Sequence, residues 1–419
     1  MSLKRPALRA TLAVAVCVVA ACAGQPSPSL SPAPSPIETA LAAASPTFAL
    51  VSHEPTALPA VAPTPSAAQT RAVTPTPVVS PAPPYAHQWL RLDNWSPDGA
   101  HLIVDDTSGH HVLDASGSPL WGFPAWDVGW LDSSTIAAAG TGGAGAARET
   151  VRIYDITGKQ VGADPTVFES LTFAPDHHLF AGVYPATGDL AQGERFSIWD
   201  GTTVSAAQAG NPLVWSRDAS RLAILLPPWS PAGPGMDGRL AIVDAAGNRT
   251  FTLDGWFGTT IGDYEFSPDR RYLAACLAKS RSEIELGTVV DTQTGHVTEL
   301  GGNCAFTWSE EAALYAPANP DAHEWLRWMP TGGGVPIDGA PADAAVIAAR
   351  NGNLAIWSES DSSALRLIVN GKAEERRLPG GIWGYQYVLW RPDGQALAVV
   401  YARSGSVGMG DFALAILSV

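Results

Sequence analysis

Two pairs of adjacent histidines are the residues best suited to hold a metal ion: His110 with His111, and His177 with His178. Neutral imidazole is a common metal ligand in proteins. Neighbouring side chains on a strand point to opposite faces, which disfavours a shared ion at the first pair. The second pair lies at the variable end of a predicted turn, where solvent exposure is favoured. We therefore predict no metal site and no cofactor.

Local catalytic signatures are missing from the sequence. It contains no GxSxG elbow, HExxH pair, glycine-rich phosphate loop or EF-hand loop. Their absence removes the main routes to hydrolysis and phosphoryl transfer that a short motif reveals. We predict no catalytic residue. An enzyme that assembles its acids and bases from separate repeats stays open as the alternative.

Four cysteines are present, and three of them carry predictions. Cys22 ends an N-terminal apolar run, whereas Cys276 and Cys304 belong to the folded part. Disulfides persist in exported proteins, so Cys276 and Cys304 are candidates for a disulfide bond. The alternative is a pair of buried free thiols that act as small apolar side chains.

The first 22 residues have the form of an export signal. Residues 1–9 carry three basic residues and no acid, and residues 10–21 form an apolar run too short to span a bilayer. The sequence Val-Ala-Ala-Cys at 19–22 resembles the lipobox of bacterial lipoproteins. The resemblance implies that Cys22 is the acylated mature N-terminus and that the protein is extracytoplasmic and lipid-anchored to a membrane. An ordinary cleaved signal with an incidental Cys22 is the alternative.

A proline-rich linker follows, at residues 23–86. It holds 15 of the 35 prolines, and Glu38, Glu54 and Arg71 are its only acidic or basic residues apart from one histidine. This composition cannot bury a core and favours polyproline II at roughly 3.1 Å per residue. The segment is predicted to be a disordered tether with a reach on the order of 200 Å.

A repeat organises the remaining residues, 87–419. Each copy begins with an apolar residue, the anchor, followed in the best copies by Ser, Pro, Asp and Gly. Successive anchors lie 35 to 51 residues apart. The predicted anchors are Trp95, Trp130, Phe173, Trp215, Phe266, Trp308, Ile347 and Trp390.

The repeat predicts an all-β fold. Pro, Asp and Gly after the anchor favour a tight hairpin turn, and short apolar runs follow as strands covered on both faces. A second series of runs ends in Asp, as at Asp114 and Asp155, and marks a second hairpin in each unit. These Asp side chains are predicted to bond the local backbone rather than calcium. A period near 42 with four antiparallel strands indicates a β-propeller of about eight four-stranded blades, with seven as the alternative.

The anchor with its Ser-Pro-Asp-Gly turn resembles the TolB-type propeller repeat, a relative of the WD repeat. The resemblance covers residues 88–419. It implies a rigid binding platform for proteins or surface polymers. About eight repeats stand here instead of six, and no α/β domain precedes them.

The closure of the ring is the open topological question. The sequence ends after the third strand of the last unit, and residues 88–92 lead directly into the first inner strand. Either the last blade has three strands, or linker residues near 73–79 supply the fourth. We favour the second arrangement, because Pro75 and Pro77 are tolerated on an outer edge.

The charge and the aromatic content of the sequence restrict the classes of partner that we expect. The formal net charge is −15 and basic residues are not clustered, so nucleic acid is excluded as a partner class. Surplus aromatic residues in predicted loops offer stacking faces to a sugar or to a partner side chain. The ligand-binding candidates are Trp229, Met236, Trp256, Phe257, Trp383 and Tyr385. The alternative is that these rings cap the interfaces between blades.

The sequence therefore predicts a monomeric, membrane-tethered propeller that acts as a non-catalytic scaffold in the cell envelope. Its expected partner is an envelope protein or a surface polysaccharide. The alternative function is a propeller enzyme, of the glycoside hydrolase, lyase or peptidase kind, that acts on envelope polymers.

Overall fold

The structure is a computed structural model that describes most of residues 86–419. The residues left out of that range are 88, 126, 141–149, 175–176, 185–193, 228–237, 254–256, 258–263, 278–285, 301–305, 320–323, 338–339, 341–343, 359–360, 362, 379–380, 382–387 and 403–411. The predicted signal segment and residues 23–85 of the predicted linker lie outside the described part. Every regular element within it is a β-strand.

The strands are short and follow one another closely. In chain order they are β1 (Ala86–His87), β2 (Leu90–Trp95), β3 (His101–Asp106), β4 (Gly109–Asp114), β5 (Pro119–Phe123), β6 (Asp127–Trp130), β7 (Thr135–Ala139), β8 (Thr150–Asp155), β9 (Gln160–Val167), β10 (Ser170–Ala174), β11 (Leu179–Val183), β12 (Arg195–Trp199), β13 (Gln208–Ala209), β14 (Asn211–Trp215), β15 (Arg221–Leu226), β16 (Arg239–Asp244), β17 (Arg249–Thr252), β18 (Glu265–Phe266), β19 (Tyr272–Leu277), β20 (Leu286–Asp291), β21 (Val297–Glu299), β22 (Thr307–Trp308), β23 (Leu314–Asn319), β24 (Glu324–Met329), β25 (Gly333–Pro336), β26 (Ala344–Ala348), β27 (Leu354–Ser358), β28 (Ala364–Val369), β29 (Lys372–Arg377), β30 (Val388–Trp390), β31 (Ala396–Ala402) and β32 (Phe412–Ser418).

These strands form eight antiparallel sheets of four strands each. Blades 1 to 7 take four consecutive strands each, from β2–β5 to β26–β29, and blade 8 has the order β30-β31-β32-β1. The prediction of an all-β propeller with eight blades is confirmed, and the alternative of seven blades is wrong.

Apolar side chains between neighbouring blades hold the ring together. The described residues contain eight buried clusters, and each joins two adjacent blades. One cluster joins the last blade to the first, because Leu92 and Leu102 pack with Val400 and Leu414. Burial of apolar area at about 25 cal/mol per Å² makes these interfaces the main source of stability.

Tryptophan anchors add a repeated hydrogen bond between blades. Each of the five described Trp anchors donates its indole N–H to a backbone carbonyl on the inner strand of the preceding blade, over 2.9–3.3 Å. The bond from Trp95 reaches Leu389 and therefore closes the ring between blades 1 and 8. A buried polar group needs such a partner, which explains how an indole fits into an apolar interface.

The predicted eighth anchor is wrong by one residue. Trp95 pairs with Leu102 across the first hairpin, and the equivalent pair in blade 7 is Ala348 with Leu354. Ala348 is buried, whereas Ile347 is only partly buried. The turn in blade 7 is one residue shorter than the turn in blade 1. The spacing seen in blade 1, counted back from Leu354, therefore points to Ile347 instead of Ala348.

A strand from the N-terminal side of β2 supplies the fourth strand of blade 8, as predicted. β1 pairs antiparallel with β32, with Ala86 opposite Ala413 and His87 opposite Phe412. The strand that closes the blade is therefore the segment just before β2. Residues 73–79, which were predicted to fill this place, lie outside the described residues.

The ring has two faces that differ in their chain connections. The first and third turns of each blade lie on one face, which we call the anchor face. The second turn of each blade and the link to the next blade lie on the opposite face, the connection face. No helix in the described part of the chain is long and apolar enough to cross a membrane.

Candidate functional site

The anchor face is built from turns that an Asp side chain holds closed. Asp98 Oδ1 accepts hydrogen bonds from Ser96 Oγ at 2.7 Å and from the Ala100 N–H at 3.0 Å. Asp155 accepts from the N–H groups of Thr157 and Lys159 in the same way. The prediction that these Asp residues bond the local backbone is confirmed for these turns.

Hydrogen bonds lower the pKa of these turn carboxylates. Donors from Thr202 and Thr203 hold the pKa of Asp200 at about 2. The Arg271 guanidinium, at 2.8 Å, is the main cause that lowers the pKa of Asp291 to about 2. A carboxylate that accepts several donors is stabilised in its charged form, so these groups are structural anions.

The second histidine pair lies on the anchor face and is exposed, as predicted. His177 Nε2 lies 3.0 Å from the Arg217 carbonyl of blade 4. His178 Nε2 contacts the Asp132 carboxylate of blade 2. The two rings therefore contact opposite neighbouring blades, and they do not converge on a common point.

A different group of charged side chains lies on the connection face of blade 1. Arg91, Asp105 and His110 are cross-strand neighbours on β2, β3 and β4. Arg91 Nη2 lies 2.9 Å from Asp93 Oδ1 and 3.4 Å from Asp105 Oδ2. His110 Nδ1 lies 2.8 Å from Asp93 Oδ2, and the His110 ring stacks on Phe123. Strand pairing therefore brings together residues that are up to 19 positions apart in the sequence.

Exposure within this group is graded. The side chain of His110 is 3% exposed and that of Asp93 is 11% exposed, whereas that of Arg91 is 41% exposed. Asp105 lies between them at 18%. The guanidinium is therefore the part of the group that solvent or a ligand reaches first, with the two carboxylates behind it.

Burial raises the pKa of two carboxyl groups in this region. The pKa of Asp105 is raised by burial, with an opposing contribution from His110. Burial also raises the pKa of Asp127, the first residue of β6 in blade 2, although its Oδ2 accepts a 2.6 Å hydrogen bond from the Leu171 N–H of blade 3. Perturbed carboxyls of this kind cluster at functional sites more often than elsewhere.

A second acidic pair continues the region into blade 3. Glu169 precedes β10 and Glu194 precedes β12, both at the connection face. Burial and the charge of Glu169 raise the pKa of Glu194. The Oε2 atom of Glu194 is buried and has no hydrogen-bond partner within the described part of the chain. We call Asp93, Asp105, Asp127, Glu169 and Glu194 the acidic sector.

One carboxyl with a raised pKa lies outside this sector, close to the anchor face. Glu265 Oε1 lies 3.2 Å from Arg217 Nη2, and its Oε2 accepts the Trp308 N–H at 2.9 Å. Arg217 also donates to the Trp308 carbonyl at 2.8 Å, so it spans blades 4 to 6. Burial raises the pKa of Glu265 against these partners. Its complete pairing across blades indicates a structural role.

The predicted aromatic candidates fall mostly outside the described residues. Trp229, Met236, Trp256, Trp383 and Tyr385 all lie there. The strands that flank them in the chain end or begin at the connection face, as β15 and β16 do on either side of residues 227–238. Those candidates stay predictions.

Phe257 is described, and it does not offer a face to a ligand. Its ring is completely buried in the cluster between blades 4 and 5. Its backbone exchanges two hydrogen bonds with Gly238, at 2.8 and 3.0 Å. The prediction of a ligand-binding role for Phe257 is wrong, and the alternative, that the ring caps a blade interface, is confirmed for this residue.

The cysteine and metal predictions have different outcomes. Cys276 lies on β19, is completely buried and is disulfide-bonded. Its partner lies outside the described residues, as Cys304 does, so the pairing of Cys276 with Cys304 stays a prediction.

Within the described part of the chain no three His, Cys, Asp or Glu side chains form a group that could hold a metal ion.

The acidic sector was not predicted from the sequence. One local signal was present, because Arg91 and Asp93 place two charges in an inner strand where the other blades are mainly apolar. The sequence does not reveal that Asp105 and His110 are their neighbours, since that depends on the register of three strands.

Comparison with known proteins gives only distant structural similarity. No family model matches the chain, and no curated protein matches it. Among solved structures, an oligogalacturonate lyase in complex with manganese has 14% identity and a TM-score of 0.44, over 80% of this chain and 91% of that one. A hydrazine synthase of Kuenenia stuttgartiensis has 13% identity and a TM-score of 0.42, over 68% of this chain and 94% of that one. At these values the similarity carries no inference about activity or partners.

Proposed function

We propose that this protein is an extracytoplasmic, lipid-anchored propeller that binds an envelope protein or a surface polymer through its connection face. The observation that carries the proposal is the acidic sector. Its carboxyl groups come from three adjacent blades and face the same side of the ring, with the partly exposed Arg91 among them. Charged groups with raised pKa values, held on a rigid scaffold, favour binding over a purely structural role.

The contrast between the two faces supports the same proposal. On the anchor face many of the described Asp and Arg side chains bond their own turn or another blade, as Asp98 and Arg217 do. On the connection face, Glu194 Oε2 is buried and has no hydrogen-bond partner among the described residues. A buried carboxylate oxygen that lacks a donor raises the free energy of the folded protein, and a ligand that supplies a donor would lower it.

The direction of β1 and the charge of the chain bear on this proposal. β1 runs antiparallel to β32, so it runs from the anchor face towards the connection face. The chain therefore enters blade 8 from the anchor-face side. The formal charge of −15 suits a partner that presents cationic or hydrogen-bond-donating groups.

The test is affinity capture from native envelope extract with the full chain, in wild type and in Arg91→Gln and Asp105→Asn variants. We expect a specific protein or polymer to bind the wild type and to be lost or reduced about tenfold in the variants, as for removal of one charge-assisted contact. Arg270→Gln is the matched control, since Arg270 forms an exposed ion pair on the anchor face. Equal capture by all forms would contradict binding at the acidic sector.

A second candidate function is favoured by one distance. Asp93 Oδ1 and Asp105 Oδ2 both contact Arg91 Nη2, so these two oxygens lie at most about 6 Å apart. This upper bound includes the roughly 5 Å at the short end of the separations between the two carboxyl groups of glycosidases. A glycoside hydrolase or lyase that acts on envelope polymers would use this pair. Loss of polymer turnover in Asp105→Asn, with turnover kept in Arg270→Gln, would favour the enzyme over the scaffold.

A further inference from the structure

The charged group of blade 1 lies where other blades have uncharged side chains. Asp105 lies three residues after Leu102, the partner of the Trp95 anchor, and it pairs with His110 across β3 and β4. The pairs at the same place in six other blades are Ala139 with Val151, Leu225 with Leu240, Cys276 with Gly287, Pro317 with Trp325, Trp357 with Leu365 and Val400 with Leu414. Folding of a blade therefore does not require charge at this place.

Blade 4 matches blade 1 most closely, because its inner strand has the same bulge. The extra residue of the bulge is Asp93 in blade 1 and Leu213 in blade 4. Leu225 and Leu240, both completely buried, take the places of the Asp–His pair. Burial of charged groups costs free energy that burial of leucine does not cost. The charges of blade 1 therefore indicate a role other than folding.

His110 is buried among carboxylates. Its side chain is 3% exposed, its Nδ1 lies 2.8 Å from Asp93 Oδ2, and its ring stacks on Phe123. Asp105 is its cross-strand neighbour. The charge of Asp127, at the start of β6 in blade 2, also interacts with His110 and Asp93. A protonated imidazole at this place would therefore be stabilised by three carboxylates.

Two guanidinium groups complete the charges that the described residues place around this imidazole. Arg91 contacts Asp93 and Asp105. Arg152 of β8 lies on the side of blade 2 that faces blade 1, since its cross-strand neighbour Ala138 packs in the cluster between these blades. β5, which pairs with β4, has no charged residue. Three carboxylates therefore accompany two guanidiniums, and one added proton balances the charge.

The adjacent residues Asp106 and His111 lie on the opposite side of the same sheet. His111 Nε2 is 3.3 Å from Asp106 Oδ2, so these two groups interact with each other. Burial raises the pKa of Asp105, and the charges of Asp93 and Asp106 add to this effect. The carboxyl of Asp105 therefore takes up a proton at a higher pH than an exposed carboxyl does.

We propose that the buried imidazole and its three carboxylates form a pH-sensitive switch, which takes up one proton as the pH falls from about 8 to about 5. Because the groups interact, the proton belongs to the group as a whole. Uptake makes the acidic sector less negative, so binding of a cationic partner is strongest near pH 8 and weakens towards pH 5. The effect on binding rests on the proposed function, whereas the proton uptake does not.

NMR spectroscopy of the full chain tests the proton uptake directly. The ring signals of His110, assigned by their loss in His110→Asn, should shift between pH 8 and pH 4.5. Asp93→Asn removes the bonded charge and should move the midpoint of this shift to lower pH by about one unit or more. Asp218→Asn, on the anchor face, is the matched control and should leave the midpoint unchanged. Ring signals that stay constant, or equal midpoints in Asp93→Asn and the wild type, would overturn the proposal.

Affinity capture from native envelope extract at pH 7.5 and pH 5.5 tests the effect on binding. Capture by the wild type should fall about tenfold at pH 5.5, as for loss of one charge-assisted contact. His110→Asn keeps a donor for Asp93 and cannot take up a proton on the ring, so its capture should change by less than about threefold. Equal capture by the wild type at both pH values would overturn the switch. No capture at either pH, with the NMR shift present, would contradict the proposed function and leave the proton uptake established.

Discussion

The two faces of the ring solve different problems with the same residue type. On the anchor face, Asp200 and Asp291 accept several donors each, and their pKa values are lowered to about 2. On the connection face, Asp105 and Asp127 have raised pKa values because burial outweighs their partners. The repeated turns therefore stabilise the anchor face, whereas residues that depart from the repeat place unfavourable charge on the connection face.

The largest expected effect concerns the interface anchors. Trp308 is completely buried and bonds the preceding blade through its indole N–H. Trp308→Ala should lower the free energy of unfolding by about 3–5 kcal/mol, because it leaves a cavity and an unpaired carbonyl. Chemical denaturation measures the change. Trp89→Ala, on the connection face and 38% exposed in the wild type, is the control and should cost less than about 1 kcal/mol. Equal losses of unfolding free energy in the two variants would contradict the larger contribution of the buried anchor.

Closure of blade 8 gives the next largest effect. A chain that starts at Pro81 keeps β1 and should unfold with the same free energy as a chain that starts at Thr70. A chain that starts at Trp89 lacks β1 and should lose about 2 kcal/mol, the scale of a few lost backbone pairs and their packing. The same denaturation experiment tests both. A loss that appears already in the chain starting at Pro81 would show that residues 70–80 contribute to closure.

The two kinds of carboxylate should make the free energy of unfolding depend on pH in opposite directions. The folded pKa of Asp291 lies below the unfolded value near 3.9, so its stabilisation is present above pH 4 and is lost as pH falls towards 2. Asp291→Asn should cost about 1 kcal/mol at pH 7, since Arg271 is partly exposed and its ion pair is screened. The loss should shrink as the pH approaches 2. A constant loss between pH 7 and 2 would contradict this cause.

Asp127 should behave in the opposite way. Its folded pKa lies above the unfolded value, so the ionised group opposes folding once pH exceeds about 4. Asp127→Asn keeps an oxygen for the Leu171 N–H and removes the charge, so it should raise the free energy of unfolding at pH 7 by about 1 kcal/mol. Thermal unfolding at pH 3 and pH 7 measures this gain, which should be small at pH 3. Destabilisation at pH 7 would show that the charge itself is needed.

The smallest effect is expected at an exposed ion pair of the anchor face. Arg270 and Asp218 lie 2.6 Å apart, but both side chains are more than two-fifths exposed. Arg270→Gln should change stability by less than about 0.5 kcal/mol, as for other solvated pairs. This makes it a suitable control for the binding experiments. A loss of several kcal/mol in a denaturation curve would show that the pair is coupled to the turn network.

Sequence reasoning recovered the repeat because its signals are local. An aromatic anchor followed by Ser, Pro, Asp and Gly encodes a turn within seven residues, as at Trp95. It failed at Ala348, where the anchor is small and the turn is shorter. Counting the strands correctly predicted that blade 8 takes its fourth strand from residues before β2. The composition of these residues did not distinguish Ala86–His87 from the residues upstream.

The acidic sector could not be predicted from the sequence, for a physical reason. Arg91, Asp105 and His110 lie on three strands, and a shift of one residue in any register would move them to opposite faces. A bulge between Leu92 and Asn94 also changes the phase of β2. Phe257 shows the converse, because an aromatic residue in an apparent loop turned out to complete a buried interface.

The central claim is that the partner binds the connection face, and site-specific photo-crosslinking in native envelopes tests it most directly. The full chain carries a photoreactive residue at one exposed position at a time: Trp89 or Glu169 on the connection face, and Arg270 or Asp393 on the anchor face. We expect adducts with one defined partner from the first two positions and none from the other two. Adducts from Arg270 and Asp393, with none from Trp89 and Glu169, would contradict it.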